Sequence, residues 1–299
     1  MRYLLLLLFG VAVLFPRSAL AEINIFACAP EWGALAQEIG ADKVEVYTAT
    51  KAAQDVHHMR AKPSLLAAMR KADLVLCSGA SLEIGWLPIL LNKAGDAQVQ
   101  DGALGSIMAS DYVDRLEMMD NVDRSMGHVH PEGNPHIHLD PRNVLIIAGV
   151  LKDRLSQIDS ANASNYAANF SAFETKWKAA MQSWADKAAV LKGSNVVVYH
   201  NSWTYLLDWL GINRVASLEP KPGIPPTASH LEKVLNDVSG KDVAGILVAP
   251  FENADAAKWL SEKSNIPVMP LPFTVGGNAQ ATDLYSLFDN SISILTKGK

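Results

Sequence analysis

From residue 23 onward, short apolar runs alternate with stretches in which apolar positions recur every three or four residues. The runs 23–27, 44–49 and 74–77 have strand length and composition. Between them, a helix is expected near 30–39 with Gly40 as its stop. Another is expected after Pro63-Ser64, where Leu65, Leu66, Met69 and Ala72 share a face, and a third over 81–93. Strands regularly separated by helices predict a parallel sheet covered by helices.

The middle of the chain reads differently. Asp140-Pro141 is a strong helix start, an N-cap followed by proline at the first helical position. Beyond it, Tyr166, Phe170, Phe173, Trp177, Met181, Trp184, Ala188 and Leu191 keep one apolar stripe by steps of three and four. That stripe predicts one long helix, 162–191, and a packed seam along it. The alternation then resumes, with strands near 196–199, 213–217, 244–249 and 266–270 and helices near 203–210, 227–239, 254–264 and 281–297. The expected fold class is α/β, with two doubly wound parallel-sheet lobes joined by a long rigid α-helix. The boundaries are 22–160 for the first lobe, 161–191 for the connecting helix and 192–299 for the second lobe.

The first residues bear on compartment. Arg2, the apolar run Leu4 to Leu14 and the small residues of Ala19-Leu20-Ala21 have the form of a secretory signal peptide over 1–21, too short to span a bilayer. A retained anchor is the alternative. Export would make the mature chain more acidic, its formal charge moving from −5 to −7 once Arg2 and Arg17 are lost. With no basic cluster, nucleic acid and anionic membrane surfaces are poor partners. Cys28 and Cys77 follow the first and third strands. In a sheet ordered 2-1-3-4 those strands are neighbours, so a disulfide is within reach; buried thiols or a thiolate metal site are the other readings.

Histidine carries the chemistry. Six of the eight fall in Asp55-Val56-His57-His58-Met59-Arg60 and in 127–138, which holds His128, His130, His136 and His138; His200 ends a strand, and His230 stands alone on a helix. Loops after parallel strands converge at the carboxyl edge of a sheet, where ligands bind. Imidazole suits zinc and similar borderline cations, whereas Mg²⁺ and Ca²⁺ want oxygen. Three histidines around an open position would also serve a zinc hydrolase, but there is no His-Glu-x-x-His helix and no Gly-x-Ser-x-Gly elbow. Met59, Met118, Met119 and Met126 near histidines leave a copper-handling protein as a further reading.

At these motifs the chain resembles the periplasmic zinc- and manganese-binding components of metal ABC importers that use a rigid interdomain helix. The likeness is carried by His57 standing six residues before Pro63-Ser64, by Ala72 to Gly79 with Leu82-Glu83 and Trp86-Leu87, by Asn134-Pro135-His136-Ile137-His138-Leu139-Asp140-Pro141, and by Tyr199-His200-Asn201. It implies His57, His136 and His200 as metal ligands. His138 then falls where the family usually has an aromatic residue, and is expected as pocket wall, with His58 as a neighbour. The family's usual aspartate falls on Phe273 and its alternative glutamate on Val56, so water, Glu252 or Glu219 remain for a fourth position. His128 and His130 lie in a short loop where related zinc carriers have a longer histidine-rich one. They are expected as a weak second site, a funnel for incoming metal or a solvated loop. Three imidazoles without a carboxylate point to Zn²⁺ ahead of Mn²⁺. The resemblance further implies a periplasmic, monomeric carrier rather than an enzyme, delivering to a membrane ABC permease, with a metallochaperone as a further partner.

Overall fold

A computed structural model describes residues 22–120, 126–127 and 129–297; the expected leader over 1–21 lies outside them. No helix among the described residues is long and apolar enough to cross a membrane. The first sheet contains β1 (Ile23–Ala27), β2 (Val44–Thr48), β3 (Leu74–Cys77) and β4 (Ser106–Met108), in the order β2-β1-β3-β4. The second contains β5 (Asn195–Val198), β6 (Asn213–Ser217), β7 (Val243–Val248) and β8 (Val268–Pro270), in the order β6-β5-β7-β8. Every strand pair is parallel. Both sheets therefore have the doubly wound order expected, with β4 added. That strand is three residues long, too short to show a periodicity.

Helices α1 (Pro30–Gly40), α2 (Pro63–Met69) and α3 (Leu87–Ala94) connect the first strands, and α4 (Pro141–Ile158) follows the first sheet. The Asp140 side chain accepts from Arg142 N, the cap that the Asp-Pro pair foretold. The helix expected over 81–93 is shorter. Residues 79, 80 and 81 all have positive φ, which no right-handed helix accommodates, and α3 begins only at Leu87, ahead of Pro88.

Helix α5 (Ala163–Ala188) continues into a 3₁₀ turn at Ala189–Leu191, so the apolar stripe runs through 26 α-helical residues, about 39 Å. Its buried members are Tyr166, Phe173, Trp177, Trp184 and Ala188. Trp177 packs on Phe173, Trp184, Tyr285 and Phe288, and its indole N–H donates to Pro141 O. The second half supplies α6 (Thr204–Leu210), α7 (Ala228–Val238), α8 (Asp255–Ser264) and α9 (Leu284–Thr296). Although α9 ends the chain, it lies along α5 and touches α1, so the termini of the two halves share one seam.

The main core runs from the first sheet through α4, α5 and α9 to the inner face of β5. A second cluster, around Val197, Leu218, Val234, Ile246 and Leu260, fills the outer side of the second sheet. Strand alternation explains the division: Val196 and Val198 face the main core and Val197 the second. Cys28 and Cys77, at the ends of neighbouring β1 and β3, form a disulfide with Cα atoms 4.8 Å apart.

Candidate metal centre

The carboxyl edges of the two sheets meet at a cluster of imidazoles. One ring nitrogen from each of His57, His136 and His200 lies within 4.8 Å of the other two. His57 sits in a 3₁₀ turn between β2 and α2, His136 just before the 3₁₀ turn that leads into α4, and His200 two residues past β5, just before the 3₁₀ turn that leads into α6. His136 is buried; the other two are half-buried.

Each ring is held from behind. His57 Nδ1 lies 2.9 Å from Asp55 Oδ1, His136 Nδ1 2.8 Å from Asn134 Oδ1, and His200 Nδ1 2.7 Å from Glu219 Oε2. The carboxylates can only accept, so His57 and His200 carry their proton on Nδ1. The Asn134 amide is oriented by its Nδ2, which donates to Glu117 Oε2, Asn201 O and Thr204 Oγ1; its Oδ1 therefore accepts from His136. All three Nε2 lone pairs are left for a cation. This arrangement, an acceptor behind each imidazole, is how metal-binding histidines are fixed in tautomer and direction.

Two of these anchors are local and alike. Asp55 and Asn134 each stand two residues before their histidine, and each also accepts from that histidine's backbone N–H. Sequence reasoning passed over this Asx-x-His repeat, which was readable from the chain. Glu219 is different, reaching His200 across strands and also accepting from Gly223 N.

His130 departs from its expected place in an accessory loop. Its Nε2 lies 3.1 Å from His57 Nε2, and its Nδ1 lies 3.0 Å from Ala80 O. A carbonyl only accepts, so His130 Nδ1 bears hydrogen and its Nε2 is an acceptor. The two Nε2 lone pairs then face each other at hydrogen-bonding distance, an approach that a proton on either ring or a cation between the rings would relieve. Tetrahedral zinc with Zn–N bonds near 2.0–2.1 Å would set ligand nitrogens roughly 3.3 Å apart, close to the His57–His130 separation; His130 stands beside, and not within, the group of ring nitrogens that lie within 4.8 Å of one another. His128 lies outside the described residues.

The remaining candidates are otherwise engaged. His58 is largely exposed, with Nδ1 2.6 Å from Asp55 Oδ2. His138 is buried; its Nε2 donates to Phe273 O and its Nδ1 lies 3.5 Å from Glu31 Oε1. Glu31 in turn accepts from Thr274 Oγ1. Phe273 packs edge-on to His136 and His138 and against Trp203 and Phe251, so an apolar wall stands where a carboxylate was sought. Val56 is buried and its carbonyl accepts from Trp86 Nε1.

Glu252 Oε2 accepts from Ala249 N, while Oε1 is buried without a hydrogen-bond partner. Burial, with Glu219 and Asp55 nearby, pushes its carboxyl up to about 8. It lines a cavity of about 300 Å³ beside the histidines, together with Tyr199, Phe251 and Asn253. Burial, reinforced by the neighbouring imidazoles, holds His136 well below the ordinary histidine range, which keeps it neutral. Burial would raise the Asp55 carboxyl, but its hydrogen bonds with His57 and His58 outweigh this and leave it lowered.

The family profile for the periplasmic component A of zinc-uptake complexes, ZnuA, matches residues 25–298. The chain belongs to this family. The ZnuA family comprises the metal-binding solute-capture components of ABC importers, not enzymes, which removes the hydrolase alternative. Curated relatives divide by metal. The chain is 22% identical over 260 residues to the zinc-binding lipoprotein AdcA of Streptococcus pneumoniae serotype 4, covering 87% of this chain and 51% of AdcA. It is 23% identical over 247 residues to the manganese ABC transporter substrate-binding lipoprotein PsaA of Streptococcus pneumoniae, covering 80% of this chain and 76% of PsaA. A crystal structure of ZnuA superposes with a TM-score of 0.78 at 20% identity, over 92% of this chain and 98% of that one, which shows the shared fold.

Proposed function

We propose that this protein captures Zn²⁺ in the periplasm with His57, His136, His200 and His130, and delivers it to a membrane ABC permease. The single observation that carries the reading is the facing pair of Nε2 atoms on His57 and His130, 3.1 Å apart, each with its Nδ1 committed as donor. Three further features support it: the convergent nitrogens of His136 and His200, the Nδ1 anchors, and the low proton affinity of His136.

The donor set favours zinc over manganese. Mn²⁺ is suited by carboxylate, carbonyl and water oxygens, whereas neutral imidazole suits Zn²⁺. Here the carboxylates of Asp55 and Glu219 stand behind imidazoles, where they strengthen the nitrogen ligands without replacing them. Phe273 keeps the remaining side apolar.

The handover is a matter of access. His57 and His200 are half-buried beside the cavity, so a docked permease or a metallochaperone would meet the metal there rather than at buried His136. Exported as a monomer after loss of residues 1–21, the chain would work at the outer face of the membrane.

The test is a competition titration of metal-free protein with Zn²⁺ and Mn²⁺ against a chelator of known affinity. Zinc should bind with one strong equivalent, at least about a hundredfold tighter than manganese. Equal affinity for the two metals would overturn the zinc assignment.

A further inference from the structure

Among the described residues of the first lobe, the segment after β3 has the one run of three successive residues with positive φ. Gly79, Ala80 and Ser81 have φ of +76°, +45° and +63°, three successive residues in the left-handed region, two of which carry a side chain. Non-glycine residues are held there only when their surroundings impose it, and such runs gather where a site needs a particular backbone direction. A Cβ at Gly79 would come within 2.5 Å of Ser110 Oγ, so this position is closed to other residues.

What imposes the conformation is visible. Glu83 is 2% exposed and reaches back to the turn, its Oε1 accepting from Ser78 N at 2.9 Å and its Oε2 from Gly79 N at 3.1 Å. Ser78 is held further by Trp32 Nε1 on its hydroxyl and by Ser110 N on its carbonyl. On the other flank, Cys77 is tied to Cys28, and both are fully buried.

The same segment touches both members of the facing histidine pair. The Ala80 carbonyl accepts from His130 Nδ1 at 3.0 Å, which fixes that ring's tautomer. Six residues past that clamp, the buried Trp86 donates its indole N–H to Val56 O at 3.1 Å, one residue before His57. The first lobe thus has one rigid strap, Ser78 to Trp86, with a contact to each side of the Nε2–Nε2 approach.

We propose that Glu83, through this strap and with the Cys28–Cys77 bridge, is a positioning residue that sets the spacing of His57 and His130 and so the number of imidazoles that close on the metal. The proposal rests on His130 being a ligand. Without Glu83 the turn loses two backbone anchors, and the Ala80 carbonyl that accepts from His130 Nδ1 is free to shift. The metal would then keep His57, His136 and His200 and take water in the fourth position.

The experiment compares the parent chain with Glu83→Gln, His130→Ala and the double variant, using Zn²⁺ competition and the visible spectrum of the Co²⁺-loaded forms. Glutamine keeps the shape of the side chain but presents an N–H₂ where an acceptor is needed. Expected are a roughly tenfold loss of zinc affinity in Glu83→Gln and a Co²⁺ spectrum shifted toward that of His130→Ala. The double variant should be no weaker than His130→Ala alone, because both substitutions remove one interaction. A merely structural role would lower the melting temperature while leaving the Co²⁺ spectrum unmoved. An unmoved spectrum with parental affinity, or losses that add in full, overturns the positioning role. Parental affinity and spectrum in His130→Ala overturn the four-imidazole reading itself. If Glu83→Gln does not accumulate, Cys28→Ser/Cys77→Ser releases the other flank of the strap and is read the same way.

Discussion

The two sheets share one strand order but prepare their edges differently. At the first, the connections are braced by a disulfide, a strained turn and two Asx-x-His units, and they bring three imidazoles to one place. At the second, a single histidine follows β5, anchored by a glutamate from beyond β6, and the neighbouring loop offers the ring of Phe273. The cores follow the same division. The first sheet belongs wholly to the main core, whereas β5 is shared between that core and the separate outer cluster. A metal ion bound by these side chains would therefore sit on a braced lobe and recruit one ligand from a lobe that packs partly by itself. On the proposed reading, most of the site would be prepared before the metal arrives, and His200 would complete it and make the metal a bond between lobes.

Removing ligands breaks the comparison most strongly. His136→Ala and His57→Ala should each weaken zinc by orders of magnitude, about a hundredfold or more, because a site short of an anchored imidazole is both poorer and less organised. His200→Ala should lose a similar factor and, in addition, the metal's bridging effect. Zinc should raise the melting temperature of the parent by mass action, and in His200→Ala that rise should shrink by more than the lost affinity accounts for. Competition titration and calorimetry check both. Parental affinity in His200→Ala would mean that the second lobe does not take part. Protons compete with the metal for imidazole, whose ordinary value is near 6.5, so affinity should be flat above about pH 7.5 and fall steeply below about pH 6.

How much of this asymmetry the sequence disclosed depends on the range of the signal. The α5 stripe was legible because a helical seam repeats over seven turns, and Trp177 and Trp184 occupy the positions that the repeat assigns them. His57, His136 and His200 stood out because two follow sharp local motifs and one ends a strand. His130 did not, since its partner Ala80 is 50 residues away and nothing in the irregular stretch between β4 and α4 has a period. The strap was misread as helix for a related reason. Ser81 to Leu91 has helical spacing, and the conflict comes from Glu83 bonding back to Ser78 and Gly79, a tertiary choice that overrides propensity.

Glu252 sharpens the comparison at intermediate size, as the one strongly shifted carboxyl at the second edge. Its folded value of about 8 lies above the ordinary 4.5, so the folded chain binds a proton that the unfolded chain releases between those values. Stability from this group is fully present below about pH 4.5 and is lost as pH rises through about 8. Glu252→Gln keeps the neutral form at every pH. It should melt with the parent near pH 4.5 and above it at pH 8, by a few degrees for a gain of about 1–3 kcal/mol. Thermal melts at the two pH values decide it: a variant less stable than the parent at pH 8 would show that the ionised carboxylate is wanted there, and would return Glu252 to the list of metal ligands.

The smallest expected effect concerns the overall shape. Two features oppose a wide hinge between the lobes. Helix α5 presents Tyr166, Phe173, Trp177 and Trp184 to a continuous seam, and α9 returns from the end of the chain to pack along it and reach α1. Opening the lobes would expose part of this aromatic packing, in which Trp177 alone meets Phe173, Trp184, Tyr285 and Phe288. Uncovering even two such rings costs several kcal/mol, more than a resting equilibrium tolerates. Loops can still move: the polar stretch that carries His130 is tied by side-chain and backbone hydrogen bonds, among them His130 to Ala80 O, Met119 N to Pro131 O and Tyr205 Oη to Asn134 O, and not by the aromatic seam. Scattering profiles of the metal-free and zinc-loaded protein should therefore superimpose, while hydrogen exchange slows around His130 and His200 on loading. A clear fall in radius of gyration with zinc would mean that the aromatic seam opens in the free protein, and that the second lobe, rather than its loops alone, travels to bring His200 to the other three imidazoles.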